Sequence, residues 1–369
     1  MIYLDYQATT PLAPEVIAVM TDGLARYGNP HSAHAMGRQA AAEVELARDR
    51  ILAALGLPEG RLIFTSGATE ALNTAIQGVA RAAPMGRSRI VTIATEHAAV
   101  LDTVTACARE GAEPVFLPVG PDGLVDLDAA AGAIDDGTAL VVAMQVNNEI
   151  GVIQPLAMLA EMAAKSGALF LCDAVQGFGR MPLPVVPDMV AISAHKIHGP
   201  KGVGALWLRG DMAVPPLIYG GGQEGGVRSG TLSPLLCAGF GVAAKLCSER
   251  REEDAAHVEA LWTTAQRLFA GWTINGSLTD RYHGNLNIRR EGLDAARILS
   301  SCRRVAMSLG SACASGSGRT SHVLRATGLT DTEARSSIRL GFGRYTTMSD
   351  LEEAALLILE TASEQERMG

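Results

Sequence analysis

Three short stretches of the chain gather residue types suited to chemistry at an anion, at a cation and at a carbonyl. The first is Thr65-Ser66-Gly67-Ala68-Thr69-Glu70, which follows an apolar run and opens a helical one. Small residues there let backbone N–H groups approach an anion, and a helix N-terminus adds unpaired donors and a favourable dipole, so the loop reads as a phosphate cradle. An ordinary Ser/Thr helix cap with Glu70 nearby explains the same residues. The second stretch, Leu169-Phe170-Leu171-Cys172-Asp173-Ala174-Val175-Gln176, puts a carboxylate at the carboxyl end of a strand, where open parallel sheets bind ligands. Asp173 suits a buried cation such as the protonated ring nitrogen of pyridoxal phosphate, or else it caps the next helix. The third, Ser193-Ala194-His195-Lys196 ahead of Ile197-His198-Gly199-Pro200-Lys201-Gly202, sets a lysine at the end of another apolar run. Desolvation there favours the free amine, which adds to carbonyls, whereas a plain surface lysine at a loop is the alternative. Together, a phosphate-type loop, a strand-end carboxylate and a strand-end lysine are the parts of a pyridoxal phosphate site.

Positioning those parts takes a sheet. Short apolar runs at 62–65, 89–94, 114–118, 139–145, 168–173, 189–193 and 204–208 alternate with helical-period stretches such as 69–82, 99–110 and 156–166. The alternation predicts an α/β fold with a mainly parallel seven-stranded sheet covered on both faces. A long helical stretch over 233–270 follows, then a strand at 284–289, a helix at 293–301, a strand at 337–341 and a last helix at 349–365. With 369 residues the chain is too long for one core. A large domain over 12–245 and a smaller α/β domain built from 1–11 and 246–369 are expected, with a cleft between them.

Composition narrows the classes further. The chain is 48% hydrophobic and 19% charged, the balance of a soluble globular protein. Its 31 Lys and Arg against 39 Asp and Glu give −8, and no basic stripe is present to track phosphates, so nucleic acid is not an expected partner. Apolar runs fall far short of the roughly 20 residues of a membrane span. The N-terminus lacks the basic-then-apolar pattern of a secretory signal, and a cytoplasmic location is expected. Six cysteines without C-x-x-C pairs indicate neither a disulfide framework nor zinc. The histidines His31, His34, His198, His283 and His322 lack metal-ligand spacing, and no metal is expected.

On these residues the chain resembles the cysteine desulfurases, fold type I pyridoxal phosphate enzymes of the class V aminotransferase group. Ordered matches span nearly its whole length: Tyr3-Leu-Asp-Tyr-Gln-Ala-Thr-Thr-Pro11, Gly28-Asn-Pro-His-Ser32, Ser66-Gly-Ala-Thr-Glu70, Thr95-Glu-His97, Asn147-Asn-Glu-Ile-Gly151, Asp173-Ala-Val-Gln176, Ser193-Ala-His-Lys196, Arg228-Ser-Gly-Thr231, Gly310-Ser-Ala-Cys313 and Ser337-Ile-Arg339. The resemblance implies that Lys196 is the Schiff-base lysine and Asp173 the partner of the pyridinium nitrogen. It implies that His97 stacks on the ring, that Asn148 and Gln176 bond near its phenolic oxygen, and that Ala68, Thr69, Ser193 and His195 hold the phosphate. Thr231 would reach the phosphate from the neighbouring subunit of a homodimer, and Arg339, with Asn148, would bind the substrate carboxylate.

The same resemblance makes Cys313 the persulfide-forming cysteine, and the Gly/Ser/Ala-rich composition of 308–318 suits a loop that carries a thiol into and out of a cleft. The implied activity is removal of sulfur from L-cysteine, leaving L-alanine, with transfer to a sulfur-acceptor protein such as an iron-sulfur scaffold. The housekeeping iron-sulfur members continue past the final helix with a tail implicated in scaffold docking, whereas this sequence ends at Gly369, so docking of that kind is not an expectation carried over. Gln223 and Gly225 stand where relatives commonly carry His and Arg. A selenocysteine lyase or aminotransferase on the same scaffold and a non-catalytic homologue are the competing readings. A transaminase has no use for Cys313, and a chain that had lost its chemistry would usually have lost Lys196 or Cys313.

Overall fold

The computed structural model describes residues 1–309 and 320–368. Among them, seven strands form one sheet in the order Gly60–Thr65, Gly204–Arg209, Met189–Ser193, Leu169–Asp173, Thr138–Met144, Arg89–Ile93, Glu113–Leu117. The last five run parallel to one another, while Gly204–Arg209 is antiparallel to both of its neighbours. The central strands are continuous apolar runs because both faces are covered; every residue of Thr138–Met144 and Met189–Ser193 is buried.

Alternate residues of each strand feed separate cores. Leu62, Phe64, Val141, Ala143, Phe170 and Cys172 join Val44, Ile51 and Phe240 on one face. Ile63, Leu140, Val142 and Leu171 join Leu72, Ile76, Val100 and Val104 on the other. Each fully buried aliphatic side chain of this kind contributes roughly 1.5–3 kcal/mol, which is why the period-two pattern fixes the register. A further cluster, with Leu4, Trp262, Leu286, Ile288, Leu340 and Ile358, packs around a three-stranded antiparallel sheet ordered Ser337–Gly341, Asn285–Arg289, Thr273–Ile274. The N-terminal strand Ile2–Tyr3 pairs with Val305–Ala306 beside it.

The predicted helical stretch over 233–270 is two helices, Pro234–Glu249 and Arg251–Leu268, broken at Arg250, whose backbone leaves the helical region. The acids Glu252, Glu253 and Asp254 in the first turn of the second helix favour a new N-terminus there, and Arg250 pairs with Glu253 at 3.0 Å. Two helices, Pro14–Gly23 and Ala35–Leu55, fall outside every segment assigned from the sequence. No helix among the described residues is long and apolar enough to cross a membrane.

Strand order sets where a ligand can sit. After Arg89–Ile93 the chain goes outward to the edge strand Glu113–Leu117 and then returns to the other side of Arg89–Ile93 as Thr138–Met144. Ligands bind beyond the carboxyl ends of strands at such a reversal. The residues just past those ends are Thr95-Glu96-His97 and Asn147-Asn148, with Asp173 and Ser193 on the next strands over.

Candidate active site

A cavity of about 540 Å3 lies at those strand ends, and Ala68, Thr69, His97, Asn148, Asp173, Gln176, Ser193, His195, Lys196 and Arg339 all line it. Thr231 does not; it is exposed and outside the lining. Cys313 lies outside the described residues.

Lys196 follows the buried strand Met189–Ser193 in a single 3-10 turn, so its backbone is fixed while its amine enters the cavity. Nζ donates to the carbonyls of Gln7 and Ala8, the latter at 2.8 Å. Burial, together with the positive charges of Arg180 and Arg339, brings its pKa down to about 7, against the pull of Asp5 and Asp173 in the other direction. Deprotonation turns the amine into a nucleophile, so in the cofactor-free protein the rate of pyridoxal phosphate uptake should rise with pH and reach half its plateau near pH 7. Stopped-flow absorbance across pH checks this, and a midpoint near the ordinary lysine value would contradict it.

The anion end of the cavity comes from local geometry. Gly67 is the N-cap of the helix Ala68–Ala82, and among the described residues no side chain caps it, which leaves first-turn N–H groups for an anion. Glu70 does not take that place. It turns back to accept from the Ser66 N–H at 2.8 Å and from Arg228 at 2.7 Å. Burial pushes its pKa up, but Arg228 and the Ser66 N–H outweigh that and hold it below the usual value. Glycine is required at 204, because a Cβ there would lie 2.6 Å from the Gly67 backbone. Ser193 and His195 line the same cavity; burial, Lys196 and Lys201 keep His195 neutral, with its pKa down at about 4.

The cation end is Asp173. It is 6% exposed, and among the described residues its hydrogen bond comes from the Val175 N–H at 2.9 Å. Burial lifts its pKa to about 6, while Val175 and Lys196 pull the other way. A buried carboxyl with so little compensation fits a protonated ring nitrogen, which would supply the missing positive charge. An uncapped helix start, a deprotonatable lysine and an under-compensated aspartate therefore match the phosphate, aldehyde and ring nitrogen of pyridoxal phosphate in chemistry, and the cavity has the size of small-molecule sites, roughly 300–1,000 Å3.

His97 is the N-cap of Ala98–Cys107. Its Nδ1 accepts from the Ala99 N–H at 3.0 Å, and burial with Lys196 and His322 lowers its pKa, so a neutral flat ring borders the cavity. Gln176 lines the cavity, but its amide is engaged: Nε2 donates to the Gln7 carbonyl at 3.0 Å and Oε1 accepts from Arg180 at 2.7 Å. Arg339, 1% exposed, donates to Asp5 at 2.8 Å and to the Asn148 carbonyl at 3.0 Å, and its Nε has no partner among the described residues.

Several neighbours of the site escape sequence reasoning. Asp5 and Gln7 join it from the N-terminus, and Arg180 from the loop after Asp173. Glu96 is fully buried; its Oε1 accepts from the Met144 N–H at 2.6 Å, and burial together with Asp173 holds its pKa well above the usual range. On the two flanks of 310–319, Ser308 pairs with the Arg339 backbone and donates to Asp5 at 2.9 Å, while Ser321 donates to Glu149 and His322 Nε2 lies 2.9 Å from the Glu96 carbonyl. The matches Tyr3–Pro11 and Thr95–His97 were the available signals for Asp5, Gln7 and Glu96; Arg180 carried none.

The family described as aminotransferase class-V matches residues 2–353. A cysteine desulfurase IscS from Rickettsia felis (strain ATCC VR-1525 / URRWXCal2) is 42% identical over 368 residues, covering 97% of this chain and 90% of that protein. A solved structure described as a NifS-like protein superposes with a TM-score of 0.92 at 32% identity, covering 98% of this chain and 99% of the other. The structure of SspA in complex with cysteine gives 0.84 at 32% identity, covering 94% and 100%.

Proposed function

The chain belongs to the class-V aminotransferase family, and from that membership we infer how its own residues carry the reaction of a pyridoxal phosphate-dependent cysteine desulfurase. L-Cysteine is the substrate, L-alanine the product, and the sulfur leaves as a persulfide on Cys313 for transfer to an acceptor protein. The observation that carries this reading is the meeting of Lys196, Asp173 and Arg339 in one cavity, with Arg339 hydrogen-bonded backbone to backbone to Ser308, two residues before the Gly310–Cys313 match begins in the sequence.

Pyridoxal phosphate, when bound, supplies an aldehyde for the substrate amine and an electron sink for its α-carbon. Lys196 would hold the cofactor's aldehyde, and its amine, when free, would take the substrate α-proton and return it as a general base and acid. With a pKa near 7 it can do both at neutral pH. Asp173 would keep a positive charge on the ring nitrogen, His97 would pack against the ring, and Ala68, Thr69, Ser193 and His195 would hold the phosphate. Arg339 takes the substrate carboxylate through two parallel N–H donors, helped by Asn148.

Cys313 completes the chemistry. Its thiolate attacks the substrate sulfur, an S–S bond forms, the Cβ–S bond breaks with its electrons staying on carbon, and protonation there yields alanine. Thiol and cysteine thus become persulfide and alanine with no outside oxidant. Thr231, exposed and away from this chain's cavity, serves the cavity of a second copy in a homodimer.

Incubating the purified enzyme with L-cysteine and no keto acid should give alanine and sulfur in equal amounts over many turnovers, read by amino-acid analysis and by sulfide release in the presence of a reducing thiol. A requirement for a keto acid acceptor would instead identify a transaminase.

A further inference from the structure

Lys196 also borders a second cavity, of about 220 Å3. Four arginines, Arg180, Arg251, Arg281 and Arg344, line it against two carboxylates, Asp254 and Glu259. Both carboxylates are already engaged, Asp254 by Arg344 at 2.6 Å and Glu259 by His283. The other three arginines form no ion pair among the described residues. Arg180 donates to the Gln176 side chain at 2.7 Å and to the Lys196 carbonyl at 3.0 Å. Arg281, 4% exposed, donates to backbone carbonyls that include Ile150 at 3.0 Å and Asn285 at 2.9 Å, and lies 4.8 Å over the Trp262 ring. Among the described residues Arg251 makes no side-chain hydrogen bond, and its Nε, like Arg281 Nε and Arg344 Nη1, is buried with no partner there.

Neutral acceptors satisfy N–H groups without cancelling charge, and gathering uncompensated guanidinium charges around one cavity is costly unless something outside the chain offsets them. The field is felt nearby. His198, on the same wall, is kept neutral by burial and by the charges of Arg344, Arg180 and Arg250. A planar guanidinium fork matches an oxyanion better than any other small partner, and the space exceeds several times the ~30 Å3 that a water molecule occupies in the liquid.

We propose that the Arg180–Arg251–Arg281–Arg344 cavity is a binding site for a small inorganic oxyanion, of the sulfate or phosphate class, distinct from the cofactor cavity. Because Lys196 itself borders this cavity and Arg180 holds both its carbonyl and the Gln176 side chain, an anion there would lie beside the reacting lysine. The inference does not depend on which amino acid the enzyme consumes.

The holoenzyme, whose cofactor already occupies its own phosphate cradle, is titrated calorimetrically with sodium sulfate at constant ionic strength in chloride. One saturable site per chain is expected. Arg251→Gln removes one guanidinium and should weaken binding about tenfold, the effect of one charge-assisted hydrogen bond. Asp254→Asn releases Arg344 from its carboxylate and should tighten binding severalfold. Neither residue lines the cofactor cavity. The opposite signs separate a site from general damage, since misfolding would weaken both variants. Absence of saturable binding overturns the proposal, as does an affinity indifferent to both substitutions, which would place the anion at Arg339 instead. If Arg251→Gln loses its cofactor absorbance, the Asp254→Asn result decides alone, and unchanged or weaker binding there also overturns it.

Discussion

Replacing Lys196 by alanine is expected to leave a folded protein whose conversion of L-cysteine to alanine falls by about 10²–10⁴-fold, the range attributed to loss of one general acid–base group. The side chain contributes little to the fold. Its amine donates to two backbone carbonyls at a cavity wall, and water can replace it there. Burying a lysine whose folded pKa is lowered from 10.5 to about 7 in fact costs stability. Between those two values the unfolded chain binds more protons than the folded one, so stability of the cofactor-free wild type should climb as pH rises from about 7 towards 10, and below about pH 7 the full cost is present. The alanine variant should lack that climb. Chemical denaturation of both proteins at several pH values reads this directly. Alanine formation with added methylamine then separates the roles: partial rescue by a small amine supports a proton-transferring Lys196, and full activity without any amine would remove Lys196 from the mechanism.

Lys196 and Asp173 were legible because each ends a continuous apolar run, and a parallel sheet puts such ends in one place. The phosphate loop was legible for the same reason, although the structure shows Glu70 bound to Arg228 and the Ser66 N–H rather than capping the helix start in the usual way. The rest depends on distance along the chain. Asp5 reaches Arg339, and Gln7 reaches Lys196, across hundreds of residues, and no local pattern encodes such a meeting. Glu96 looks like a solvated acid beside His97 in the sequence, and only the fold buries it against Met144 and near Asp173. The helix Ala35–Leu55 hid differently. Its buried positions Ala40, Val44, Ala47, Ile51 and Leu55 keep helical spacing, but alanines mark a close-packed face weakly, and further alanines and leucines among the Arg and Glu of the other faces blur it. At Arg250 the switch from basic residues to Glu252-Glu253-Asp254 was visible, and helical composition alone concealed the break.

Substituting Cys313 by serine should have the other large effect, with a different signature. The yellow cofactor should remain, since Lys196, Asp173 and the phosphate cradle are untouched, while persulfide formation and sulfide release drop by about 10³-fold or more, as removal of a sole nucleophile does. A serine hydroxyl stays protonated near neutrality and does not attack sulfur, whereas a thiolate does. No other described cysteine can stand in. Cys107, Cys172, Cys237, Cys247 and Cys302 are all buried, and burial pushes each thiol pKa up, that of Cys237 to about 12. Such thiols are almost wholly protonated at pH 7 and shielded from reagents. Brief treatment of the native enzyme with iodoacetamide should therefore label one thiol per chain, read by peptide mass spectrometry, and the Cys313→Ser protein should take up none. Activity should also fall on acidification as the Cys313 thiolate is lost. Rapid labelling at a second cysteine, or sulfide release by the serine variant at the wild-type rate, would move the sulfur-carrying role to another residue.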